Sequence, residues 1–94
     1  MKTALPELNT LIAAFAERPF QANSDDNLIR AAKAAQQLLP FMQQAGIVEA
    51  ELGIAAFIAD LLHLQHYLHL NQQSEHTIDR VVQLAFLHFD VDTQ

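Results

Sequence analysis

The chain has no cysteine and only two glycines among its 94 residues. Without thiols it cannot form a disulfide, a thiolate zinc site or a cysteine nucleophile, and its redox compartment stays open. Two glycines cannot build a glycine-rich phosphate loop, and no HExxH motif occurs.

Positive charge is also scarce, because five bases stand against eleven acids and give a net charge of −6. The bases are scattered along the sequence: Lys2, Arg18, Arg30, Lys33 and Arg80. Binding to a phosphate backbone or to an anionic membrane needs clustered positive charge. We therefore expect neither nucleic-acid binding nor membrane binding.

Charged residues make up only 17% of the chain and hydrophobic residues 51%. This composition predicts one folded domain over residues 1–94, with more apolar surface than one small core requires. The span 52–70 is long enough to cross a bilayer, but Asp60 and three histidines would be costly there. We expect a cytoplasmic protein.

Helical periodicity predicts an all-α, mostly up-and-down bundle of four helices, at 5–17, 24–45, 48–70 and 74–89. Pro6 suits a first helical turn, and Ser24 and Ser74 are candidate N-caps. Pro40 predicts a kink or break in the second helix, and Gly46 its end. The predicted inner stripes are Leu5, Leu8, Leu11, Ile12 and Phe15 in the first helix, and Leu28, Ala31, Ala32, Ala35, Leu38, Leu39 and Met42 in the second.

The third predicted helix is apolar on two sides. Its main face is Ile54, Phe57, Ile58, Leu61, Leu64 and Leu68, and its second face is Ala55, Ala59 and Leu62. The stripe of the fourth helix is Ile78, Val81, Val82, Ala85 and Phe89. A helix that is apolar on two sides is central in a bundle or lies at a subunit interface. We expect a homodimer with interface residues Leu62, His66, Leu84, Phe86 and Leu87; a monomer whose second helix covers this face is the alternative.

Three of the five histidines lie in the third helix, where they raise the possibility of a metal site. His63 and His66 share a stripe with Asp60, whereas His69 is rotated by about 120° from His63. One straight helix cannot therefore present all three imidazoles to one ion. The metal hypothesis uses Asp60, His63 and His66, with His88 or His76 from the fourth helix.

Asp60, His63 and Tyr67 also lie on one stripe, where a carboxylate could orient an imidazole as a general base. The same arrangement satisfies a half-buried histidine, and the sequence places no nucleophile beside it. We therefore predict no catalytic residue and no cofactor. A ligand pocket beside the alanines of the second helix is a third hypothesis.

Ile58-Ala59-Asp60-Leu61-Leu62 resembles a run in MazG-type nucleotide pyrophosphohydrolases. That family holds magnesium with an E-x-x-E and an E-x-x-D pair. Phe57 stands where the second pair needs glutamate, and Glu49 and Glu51 are misspaced for the first. The comparison therefore argues against that activity.

The pattern Asp60-Leu-Leu-His63, Asn71 and Ala85-x-x-His88-Phe89 resembles the C-terminal half of small uncharacterised helical proteins of bacterial genomes and mobile elements. The resemblance implies no activity, but it suggests that His63 and His88 act together. The sequence as a whole predicts a small acidic helical module for protein–protein interaction, accessory or regulatory in role and without catalytic activity. The alternative is a metal-binding bundle.

Overall fold

A computed structural model describes residues 3–21 and 25–92 of the chain. Within these residues the protein is all-helical and has no strand, with α1 at Leu5–Phe15, α2 at Asp26–Ala45, α3 at Ala50–Leu70 and α4 at Ile78–Asp92. The predicted all-α class with four helices is confirmed. In the part of the chain that the structure describes, no helix is both long and apolar enough to cross a lipid bilayer.

The signals for helix ends acted as predicted at two positions. Pro6 lies in the first turn of α1. Gly46 ends α2 in the left-handed conformation, with φ +70°, and its N–H donates to the carbonyl of Gln43. α2 runs through Pro40 without a break in the helix, and the kink stays a prediction.

Ser24 lies outside the described residues, and Ser74 does not cap α4. Ser74 precedes the helix by four positions, and its hydroxyl accepts the N–H of His76 at 3.4 Å. The predicted start of α4 is therefore four residues too early. Serine favours tight turns as well as N-caps, and the sequence does not separate the two roles.

The chain divides into two compact units, Met1–Phe57 and Ile58–Gln94. In the first unit, the N–H of Ala4 donates to the carbonyl of Val48 at 2.7 Å, and Lys33 Nζ donates to the carbonyl of Ala16 at 2.7 Å. These bonds join the start of α1 to the region after α2, and the end of α1 to the first half of α2. α1 and α2 are therefore antiparallel, and all five predicted inner residues of α1 are at least half-buried.

The buried stripe of α2 differs from the predicted one at its beginning. Ile29 is 2% exposed, whereas Leu28 is 44% exposed and Ala31 is exposed as well. The buried residues are Ile29, Ala32, Ala35, Leu38 and Met42. Leu28 and Ile29 are adjacent and equally apolar, so periodicity alone does not decide which of them faces the core.

Three of the five bases gather near the connection between α1 and α2. The guanidinium of Arg30 lies 4.5 Å and Lys33 Nζ 5.7 Å from the centre of the Phe20 ring, and Arg18 pairs with Asp25 at 3.4 Å. The bases are scattered along the sequence, and the fold brings these three to the region of Phe20 and Asp25. Three acids lie in the same stretch of chain and balance this charge: Glu17, Asp25 and Asp26.

The C-terminal part of α2 packs against the first turns of α3. The rings of Phe41 and Phe57 lie 5.0 Å apart. Gly53, the one buried residue of α3, lies against the fully buried Met42, and a Cβ built on Gly53 would lie 2.6 Å from the Met42 sulfur. The missing side chain is therefore what lets α3 approach α2 here.

We expect Gly53→Ala to destabilise the protein by about 1 kcal/mol, although alanine is the better helix former, because three atoms of the buried Met42 side chain lie within 3.0 Å of the new methyl group and must move. Urea unfolding measures this change. In a Met42→Ala background the same substitution should be neutral or stabilising, because the clash is gone. Stabilisation by Gly53→Ala in the wild-type chain would contradict the contact.

Candidate functional site

The second unit is a helical hairpin formed by α4 and the part of α3 from Ile58 onward. Gln65 Nε2 donates to the hydroxyl of Ser74 at 2.9 Å and to the carbonyl of His76 at 2.8 Å. His69 Nδ1 lies 3.1 Å from the carbonyl of Ser74. Polar side chains of α3 thus hold the segment that leads into α4.

The turn that ends α3 is itself closed by backbone hydrogen bonds. Gln72 has a positive φ of 62°, its N–H donates to the carbonyl of His69, and the N–H of Gln73 donates to that of Leu68. This pairing satisfies the last carbonyls of the helix in the way that a left-handed residue after a helix does. The direction in which the chain leaves α3 is therefore set locally.

An open groove of about 490 Å³ lies between α3 and α4 of the hairpin. Its lining residues are Ile58, Leu61, Leu62 and Gln65 from α3, and Val81, Val82, Ala85, Phe86 and Phe89 from α4. None of these side chains is charged, and Gln65 is the single polar one. Since Gln65 Nε2 already donates two hydrogen bonds, the groove offers an almost purely apolar surface.

Side chains that the sequence assigns to a core are open to solvent here. Among the described residues of the hairpin, 58–92, none is buried. Ile58 and Leu61 are each 50% exposed, Phe86 64% and Phe89 62%. The prediction that the main face of α3 and the stripe of α4 form a filled core is therefore wrong for Ile58, Leu61 and Phe89, because two helices alone cannot enclose side chains of this size. Phe86 is predicted as an interface residue, not as part of that core.

The five predicted interface residues fall in different places. Leu62 and Phe86 line the groove. His66 lies in a shallow neighbouring depression with Ala59, Leu62, His63 and Ile78, and Leu87 lies in another with Arg80, Gln83, Phe86 and Asp90. Leu84 is half-buried and lines none of the three. The sequence did not single out Leu61 and Phe89 as interface residues, although their helical spacing from Ile58 and Phe86 carried the signal.

The residues of the metal hypothesis are not gathered into a site. Asp60, His63, His66 and His88 are all exposed. Within residues 3–21 and 25–92, no three His, Asp or Glu side chains are close enough together to hold an ion. The hypothesis therefore has no preformed ligand set to support it.

The three residues of the predicted polar triad, Asp60, His63 and Tyr67, are exposed and do not form the predicted network. Among the described residues no hydrogen bond joins Asp60 to His63, and Tyr67 is 62% exposed. The histidine with a structural partner is His69, which contacts the turn at Ser74. Helical spacing relates positions along one helix, so it gave no signal for a contact with the turn beyond it.

No protein-family model, curated protein or solved structure matches this chain. The resemblance of its C-terminal half to small helical proteins of bacterial genomes and mobile elements stays a prediction.

We expect Gln65→Ala to lower the free energy of unfolding by about 1–2 kcal/mol, because two hydrogen bonds to the turn are lost and a groove side chain is shortened. Thermal or urea unfolding measures the loss. Gln83→Ala is the matched control on α4, where the side chain is exposed and bonds only with Arg80. Equal effects of the two substitutions would contradict the tethering role of Gln65.

We expect no stoichiometric zinc or iron in protein purified without a histidine tag, since no three candidate ligands among the described residues lie close enough together to hold an ion. Elemental analysis tests this, together with melting curves recorded with and without a chelator. A bound equivalent of metal, lost in a His63→Ala variant, would instead support the metal hypothesis.

Proposed function

We propose that this chain is a protein–protein interaction module without catalytic activity, and that the groove between α3 and α4 is its binding surface. The observation that carries the proposal is the uncharged groove, whose edge residues Phe86 and Phe89 are more than half exposed. Exposed apolar patches of this kind mark interaction sites in proteins. The lining of the groove itself contains no acid and no histidine.

The residues of the groove suit a role as anchors. Covering a half-exposed aliphatic side chain such as Ile58 or Leu61 contributes roughly 1 kcal/mol, and aromatic side chains contribute more. A few large residues in the centre of an interface usually supply most of its binding energy. We assign this role to Leu61, Phe86 and Phe89.

The charged residues around the hairpin have a different part in the proposal. Residues 58–92 contain five acids and one base, and none of them lines the groove. A partner can therefore enter the groove without burying an ion from this chain, which avoids a desolvation cost. The surrounding acidity acts mainly on encounter rates and on the choice of partner.

A photo-crosslinking amino acid at position 61 tests the proposal in cells that produce the protein. We expect crosslinks from this position to a protein, because Leu61 lines the groove. Position 79 is the matched control, since Asp79 is exposed on α4 but lines no part of the groove. The mass of the adduct identifies the bound species.

The crosslink should also depend on the groove itself. Phe89→Asp places a charge at the groove and should remove most of the adduct formed from position 61. The proposed function is overturned if the probe at position 61 forms no adduct with a protein. It is also overturned if this probe forms no more adduct than the probe at position 79 and Phe89→Asp does not change the amount.

A further inference from the structure

We infer that the occupant of the groove is a second copy of this chain, with the α3–α4 hairpins of two copies packed against each other as a four-helix dimer. The inference rests on the proposed function and names its partner.

The groove between α3 and α4 presents both large side chains and the space to receive them, which a symmetric contact between two copies needs. A two-fold interface uses the same patch on both copies, so that patch must present protruding groups and the space that receives them. Phe86 and Phe89 line the groove with large side chains that are more than 60% exposed, and the small side chain of Ala85 lines it on the same helix. A cavity of roughly 150 Å³ accepts a benzene ring, so a groove of about 490 Å³ has room for two phenyl rings from a partner.

The exposed area is of the size that a dimer requires. The exposed fractions of Ile58, Leu61, Phe86 and Phe89 in the groove correspond to roughly 400 Å² per copy. A stable interface buries about 800 Å² on each partner, so these four side chains supply about half of it.

The hairpin also needs a partner that is always present. None of its described residues is buried, and a pair of helices with no buried side chain has little to hold it together. A second copy is present whenever the chain is made, and most soluble oligomers are homo-oligomers. A partner that binds only at times would leave the groove open between encounters.

Polar groups place no obstacle in the way of this contact. The one polar lining residue, Gln65, already directs its amide nitrogen to Ser74 and His76.

Net charge opposes the contact between two copies. The hairpin carries a net charge of −4 over residues 58–92, with histidines neutral. Two copies therefore repel each other at low ionic strength, whereas a basic partner would be attracted.

Sedimentation equilibrium of the full chain, from nanomolar to high micromolar concentration, tests the inference. We expect a monomer–dimer equilibrium that shifts toward the dimer as salt is raised. Phe89→Asp should weaken the dimer by about 100-fold or more, because it places a charge in the interface. Leu87→Asp, at a residue that is 54% exposed and lines no part of the groove, should change the dissociation constant by only a few-fold.

A wild-type chain that is monomeric at every concentration would overturn the inference whatever the variants do. So would a dimer that Leu87→Asp dissociates and Phe89→Asp does not. A monomer that still crosslinks from position 61 to another protein would overturn the second copy as occupant and leave the proposed function standing. A monomer with no crosslink at all would remove both.

Discussion

The structure depends on how the apolar side chains are distributed around α3. They occupy more than one face of the helix, so no single neighbouring helix can cover them all. In the hairpin α3 turns Leu62 and Gln65 toward α4 and leaves Ile58, Leu61 and Leu64 about half exposed. Because α4 covers only some of the apolar side chains of α3, a groove remains between the two helices. The uncovered side chains form the surface that a partner can contact.

Sequence reasoning predicted the helices well because their signals are local. Apolar periodicity, Pro6 in a first turn and Gly46 after a last one each act within a few residues. It did not predict where the buried stripe of α2 begins. Leu28 and Ile29 are equivalent to any local rule, and only the packing of the first unit distinguishes them. The same is true of Gly53, which reads as a weak helix former until the fully buried Met42 is placed against it.

The candidate site could be predicted only in part, for a related reason. The spacing of Asp60, His63 and Tyr67 describes one face of one helix, and among the described residues no hydrogen bond joins the side chain of Asp60 or His63 to another element. The polar contacts that do organise the hairpin join Gln65 and His69 to the turn around Ser74. Such contacts depend on the path of the turn, which includes a glutamine with positive φ, and helical periodicity carries no information about it.

The two units differ in what holds them together. The first unit buries Ile29, Ala32 and Met42, and Met42 lies in close contact with Gly53 at the start of α3, where we expect an added methyl group to lower stability. The hairpin has hydrogen bonds at its turn but no buried side chain among its described residues. If a partner fills the groove, binding and the completion of the hairpin core are one event, and the stability of the hairpin depends on the concentration of that partner. In that case the apolar surplus of the sequence is part of an interface, and the groove that is exposed in the single chain is the surface that the partner covers.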